Sequence, residues 1–183
     1  MGFMKIALIG THGTGKTTIA HDLVASLKKQ GVNADFLGEV VRDCPFPINE
    51  STTKDSQEWM IFMQHIKEIE MKQKYSVLVC DRSILDGYIY YIRKFKENEV
   101  LEKFVREKIK DYSLLIKIPI REEFLKEDGT RSVNKEFQKE IDKLFDKTLK
   151  KLEIQFYNYE NINKTLNIIL RKIKENKNGR TAI

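Results

Sequence analysis

The segment Gly10-Thr11-His12-Gly13-Thr14-Gly15-Lys16-Thr17 constrains this chain more than any other. Glycine, four residues, then Gly-Lys-Thr is the spacing in which backbone amides wrap a nucleotide's phosphates, the lysine reaches the β and γ oxygens and the hydroxyl ligates magnesium. A bare glycine turn would give the same letters, so the flanks decide. The apolar run Ile6-Ala7-Leu8-Ile9 leads in as a strand. A helical pattern from about Lys16 to Gln30 leads out, with Ile19, Leu23 and Leu27 every fourth residue and Gly31 as a stop. That helix presents its amino end to the loop, where free amides and the helix dipole favour negative charge. The expected phosphate cradle is therefore Gly13, Thr14, Gly15, Lys16 and Thr17, with His12 and Thr18 flanking it as further nucleotide-binding candidates. His12 holds a variable loop position, where shaping the loop competes with proton transfer.

The rest of the chain alternates strand and helix patterns. Ala34–Leu37 reads as a second strand, ending in Gly38-Glu39-Val40-Val41-Arg42, and residues 43–50 form a proline-broken loop. Ser51, Thr52 or Thr53 can cap the next helix, whose core face is expected to be Trp59, Phe62, Met63, Ile66 and Ile69. Residues 75–80 form the clearest internal strand, ending at Asp81-Arg82-Ser83. A helical region follows from Ile84, with a charged interruption at 94–99, then a strand at Leu114–Ile118 closed by Pro119. A polar insertion precedes a helix carrying Phe137, Ile141, Phe145 and Leu149, a weak strand at 154–159 and a terminal helix. This order predicts a three-layer α/β/α sandwich with a five-stranded parallel sheet, in a single domain over 1–183 with a small lid at about 119–135. An α+β arrangement with one weak strand as coil is the alternative.

Several side chains carry candidate chemistry beyond the loop. Asp81, at the end of a buried strand, is placed to hold magnesium with Thr17, or else to cap the following helix. Arg82 would approach phosphate or pair with a structural carboxylate. At the second strand's end Glu39 would accept a proton from an incoming hydroxyl or join the metal ligands, against a plain loop salt bridge. Arg42 divides between acceptor binding and local structure, and Trp59 between stacking on a base and core packing. In Asp128-Gly129-Thr130-Arg131, glycine allows a turn beside an arginine whose fork matches phosphate, so Arg131 is a candidate for charge compensation on closure.

Charge and cysteines narrow the classes. The net charge is +6, but residues 164–183 hold six basic residues against the single acidic Glu175, which leaves the remainder nearly neutral. A basic end serves nucleic acid, an anionic partner or mere solubility. Cys44 and Cys80 are too few for a disulfide scaffold, and the apolar runs are strand-length, so a reducing, cytoplasmic setting without a membrane span is expected. Met1-Gly2-Phe3 precede a second natural start at Met4. A homodimer is compatible with such a chain. Asn163-Lys164-Thr165-Leu166 has leucine where a guanine-reading element needs aspartate, which disfavours a GTPase switch.

These motifs resemble the P-loop nucleoside and nucleotide kinases, particularly the small kinases and predicted ATPases related to the nicotinamide riboside kinase domain of the bifunctional NAD-biosynthesis regulator. The phosphate loop, Asp81-Arg82-Ser83 and Glu127-Asp128-Gly129-Thr130-Arg131-Ser132 carry the likeness, in the same order over most of the chain. The resemblance implies ATP as donor, Mg2+, a lid after the fourth strand, and roles for Glu39 on the acceptor hydroxyl and for Arg82 and Arg131 on phosphate. The expected activity is ATP-dependent phosphoryl transfer to a nucleoside- or nucleotide-like small molecule. A kinase of polynucleotide or modified DNA base, using the basic C-terminal helix, and a regulatory ATPase switch are the alternatives.

Overall fold

Strands buried on both faces need cover on both, and helices cover both faces of the sheet here. The computed structural model describes residues 2–124 and 134–178. Its elements run β1 (Met4–Ile9), α1 (Lys16–Lys29), β2 (Ala34–Leu37), α2 (Lys54–Lys72), β3 (Val77–Asp81), α3 (Ile84–Phe95), α4 (Glu99–Lys108), β4 (Leu114–Lys117), α5 (Lys135–Lys151), β5 (Tyr157–Asn158) and α6 (Ile162–Asn178). Among the described residues the sheet has five strands, all parallel, in the order β2-β3-β1-β4-β5. Most of the expected lid, residues 125–133 with Arg131, lies outside the described residues.

Alternation along the strands divides the core in two. Ile6, Leu8, Val77 and Val79 pack with Ile19, Leu23 and Leu27 of α1 and Ile169 and Ile173 of α6. Ala7, Ile9, Leu78 and Cys80 face the other way, onto Ile61 of α2, Leu85 and Ile89 of α3, Val105 of α4 and Phe137, Ile141 and Phe145 of α5. The two clusters are the interiors of a three-layer sandwich. No helix among the described residues is long and apolar enough to cross a membrane.

One expectation fails on α2. Phe62, Ile66 and Ile69 are 42%, 44% and 51% exposed, and Trp59 and Met63 are half-buried. The buried stripe is instead Ser56, Gln57, Met60, Ile61, Gln64 and Glu68. The reason is the neighbour that α2 meets. Lys5 of β1 points to this side of the sheet, and burying its ammonium requires a partner, which Glu68 supplies at 2.6 Å. Glu68 also accepts from the Tyr112 hydroxyl at 2.5 Å and from Gln64 Nε2 at 2.9 Å. The helix is therefore rolled to bring polar side chains inward. Thr53 is its cap, reciprocated by Ser56.

The helical region after Ile84 breaks into α3 and α4 at Lys96, inside the charged run 94–99 where an interruption is expected, whereas the last strand is shorter than the expected 154–159, with two residues paired to Ile116 and Lys117. Helix α6 is integral to the core, since its Thr165, Ile169 and Ile173 are buried.

Candidate functional site

The strand order brings the carboxyl ends of β2, β3 and β1 side by side, and each carries one of the motifs: Glu39 two residues beyond β2, Asp81 closing β3 and the phosphate loop beyond β1. In an open α/β sheet that edge is where ligands collect. The loop can turn there because of its glycines. Gly10 has φ 131°, and a Cβ on it would stand 2.9 Å from the Ile118 carbonyl oxygen. Gly15, at φ 82°, leads into α1 as its cap.

Lys16 is buried and folds back over the loop, donating to the Thr11 carbonyl and, at 3.2 Å, to the Thr14 hydroxyl. Burial and the neighbouring Arg82 charge lower its pKa to about 8. Burial, Arg82 and Lys16 lower the His12 pKa to about 3, so its imidazole is neutral at physiological pH. His12 shares a 2.9 Å hydrogen bond between Nδ1 and the Tyr90 hydroxyl, and its ring lies 4.9 Å from that of Phe137. These contacts tie the ring to α3 through Tyr90 and to α5 through Phe137. Thr17 is half-buried and Thr18 is exposed.

The Thr17 hydroxyl donates to Asp81 Oδ2 at 2.5 Å. Asp81 is 1% exposed, and its Oδ1 is buried without a hydrogen-bond partner. Burial and the charge of Glu39 raise its pKa. The helix cap is not Asp81 but Ser83, whose hydroxyl accepts from Leu85 N while Asp86 closes the box. An unpartnered carboxylate oxygen beside a threonine hydroxyl suits a small divalent cation, which takes one or two protein oxygens and completes its octahedron with phosphate and water. Among the described residues no group of three His, Cys, Asp or Glu side chains is placed to hold a metal ion.

Arg82 adopts φ 85°, a left-handed conformation that costs a non-glycine residue about 1–3 kcal/mol. Its surroundings hold it there. Its amide donates to Leu8 O, its Nε donates to Glu39 Oε1, and its Nη1 lies 3.8 Å from Asp86 Oδ1. Asp86 in turn accepts from Gly10 N at 3.2 Å and from the Ser83 amide and hydroxyl, both at 2.8 Å. One buried carboxylate thus joins the first glycine of the loop to the turn after β3. Arg42 Nε stands 3.9 Å from Glu39 Oε2.

A cavity of about 60 Å³ opens beside this network, walled by His12, Glu39, Arg82, Met60, Gln64 and Tyr90, with Gln57 and Gly87 also at its edge. Gly87 lets α3 approach α2, because a Cβ there would meet Ile61 Cγ1 at 2.8 Å. Three polar atoms of the wall, His12 Nε2, Gln57 Oε1 and Gln64 Oε1, are buried without partners. Glu39 and Arg82 share one wall with His12 of the phosphate loop, and Arg82 pairs with a carboxylate, one of the two alternatives the sequence leaves open for it. Trp59 is not part of the wall; its neighbour Met60 is. Gln57, Gln64, Asp86 and Tyr90 were not singled out from sequence. The signal for the glutamines was the break they make in an apolar helix pattern.

The chain belongs to the AAA domain family, whose model matches residues 5–163. A comparison with curated proteins found no match. Among solved structures it is similar to deoxyadenosine kinase from M. mycoides with dCMP and dCDP bound, at 18% identity and a TM-score of 0.60, over 94% of this chain and 100% of that one. It is also similar to thymidylate kinase from Ehrlichia chaffeensis, at 19% identity and a TM-score of 0.66, over 94% and 100%. The NadR protein in complex with NR matches at 21% identity and a TM-score of 0.66, over 87% of this chain and 46% of that one. These likenesses establish a P-loop, nucleoside- and nucleotide-kinase-like fold.

Proposed function

We propose that this AAA domain transfers the γ-phosphoryl group of ATP to a hydroxyl or phosphate oxygen of a nucleoside- or nucleotide-like small molecule held in the cavity of Glu39 and Arg82. The observation that carries the reading is the shared wall: His12 of the phosphate loop and Glu39 and Arg82 of the neighbouring strand ends line one cavity. A donor on the loop and an acceptor in that cavity would meet at the strand ends. The kinase titles among proteins of like fold support the same class.

In this reading the loop amides and Lys16 bind the β- and γ-phosphates, and Thr17 and Asp81 hold Mg2+. Bound there, the cation would neutralise charge on the phosphate oxygens. Glu39 accepts the proton of the attacking hydroxyl while the acceptor oxygen bonds to the γ-phosphorus and the bond to the β-γ bridging oxygen breaks, leaving ADP. Pairing with Arg82 aims the carboxylate, whose oxygens each accept more than one hydrogen bond. Arg82 orients Glu39 and adds positive charge beside the transferring group, and Arg131 would act on that group from the lid. The unpartnered oxygens of Gln57 and Gln64 favour a substrate that presents N–H or O–H donors to α2, because a carbonyl oxygen left unpaired there, or another lone pair set against it, is costly. The setting is proposed as cytoplasmic.

The test is a panel of nucleosides and nucleotides offered with γ-labelled ATP, counting labelled product apart from free phosphate. A labelled nucleoside or nucleotide, absent with Lys16→Ala, is the expected result. ATP hydrolysis with no labelled acceptor across the panel would overturn the reading in favour of an ATPase switch, and labelled DNA ends or bases in place of small molecules would favour a polynucleotide kinase.

A further inference from the structure

Consecutive residues of the phosphate loop are tied to α5. The Thr11 hydroxyl donates to the backbone carbonyl of Gln138 at 3.0 Å, and the Gln138 side-chain Nε2 donates to the carbonyls of His12 at 2.7 Å and Gly13 at 3.3 Å. Gln138 is 2% exposed. These bonds are not what fastens α5 to the sheet, which Phe137, Ile141, Phe145 and Leu149 do through the core, with Lys117 paired to Asp146. A buried amide spent on two loop carbonyls has another effect.

A trans peptide unit holds its C=O and N–H pointing in opposite directions. Drawing the His12 carbonyl toward α5 turns the amide of Gly13 away from α5, and drawing the Gly13 carbonyl does the same for the amide of Thr14. Those amides belong to the expected cradle, and glycine at position 13, with φ 62°, otherwise leaves this stretch free to turn over. We propose that Gln138 is a positioning residue of the phosphate cradle: from α5 it locks the peptide planes of His12 and Gly13 so that the following amides face the β- and γ-phosphates. It touches no reacting atom. Its contribution is preorganisation, because a cradle already turned loses less on binding. The role rests on the phosphate-loop reading and on no assumption about the acceptor. Glutamine suits the position, since a carboxylate there would repel both carbonyls and a hydrocarbon would leave them unpaired.

The experiment uses the full chain and two probes, ATP and inorganic tripolyphosphate, titrated calorimetrically against the parent and Gln138→Met. Both ligands should bind about tenfold more weakly to the variant, by the same factor, since the defect lies at the phosphates. In the nucleotide-free protein the backbone amide resonances of Gly13 and Thr14 should broaden or shift, while those of β1 and β3 stay in place, which a merely structural role would not produce. A folded Gln138→Met with parental affinity for both ligands overturns the proposal, and so does a loss confined to ATP. If Gln138→Met does not fold, Gln138→Asn keeps a buried amide but shortens it by one methylene, so that it no longer reaches both the His12 and Gly13 carbonyls; weaker tripolyphosphate binding is expected, and unchanged binding overturns the role. A parent that binds neither probe would remove the cradle itself, and the role of Gln138 with it.

Discussion

At the scale of single residues, burial has set the charge states around the loop, and two consequences can be measured. The Lys16 pKa of about 8 belongs to the nucleotide-free loop. A phosphate beside the ammonium favours its charged form and raises that pKa, so binding above about pH 8 must take up a proton. ATP affinity is expected to be level below this pH and to fall as pH rises through it, with proton uptake visible by calorimetry in buffers of different ionisation enthalpy. No uptake at about pH 9 would contradict the buried state of Lys16. The second consequence concerns Asp81, whose folded pKa is raised above its unfolded value by burial and by Glu39. A carboxyl shifted that way favours the fold at pH below its unfolded pKa, and the contribution is lost as pH rises through the folded value, leaving a buried charge as a cost near neutrality. Asp81→Asn should therefore raise the unfolding temperature at neutral pH relative to the parent, and the difference should shrink as pH falls below the usual carboxylate range. The same variant should need more Mg2+ for transfer. A neutral-pH unfolding temperature lower than the parent's would mean that the charge is stabilised in the folded chain.

At the scale of elements, the loop and the strand ends were legible because their chemistry is local. Gly10 through Thr17 are contiguous, Glu39 follows β2, and Asp81 is the last residue of β3. What could not be read was contact across the chain: Gly10 N to Asp86 spans 76 residues and the Gln138 tie to His12 spans 126. Helix α2 was misread for a physical reason. Its apolar stripe and its buried stripe are different faces, because the sheet residue beneath it, Lys5, demands Glu68 and the cavity takes Gln57 and Gln64. The break between α3 and α4 was hinted at by the charged run, and its geometry supplies a test. Lys96 adopts φ 66° and ψ 178°, a region that almost only glycine occupies. Lys96→Gly should stabilise the protein by about 1 kcal/mol in denaturant unfolding. A loss of stability would show that the lysine side chain, whatever it contacts, outweighs the backbone strain.

At the scale of the whole molecule, the site is a product of strand order. β1 lies between β3 and β4, and β3 between β1 and β2, so motifs separated by dozens of residues come to one edge. Alternating strand and helix patterns predicted a parallel sheet of five strands, while nothing in the sequence stated which strands would be neighbours. That adjacency makes Glu39 and Arg82 partners and sets both against the phosphate loop. Under the proposed function this assembly moves a phosphoryl group onto an acceptor hydroxyl, with Glu39 receiving the proton. The most direct test is single-turnover transfer from labelled ATP to a phosphorylated member of the nucleoside panel, compared between the parent and Glu39→Gln. The variant should transfer about 10²–10⁴-fold more slowly, while ATP binds it as tightly as the parent. Transfer by Glu39→Gln at the full parental rate would contradict the account.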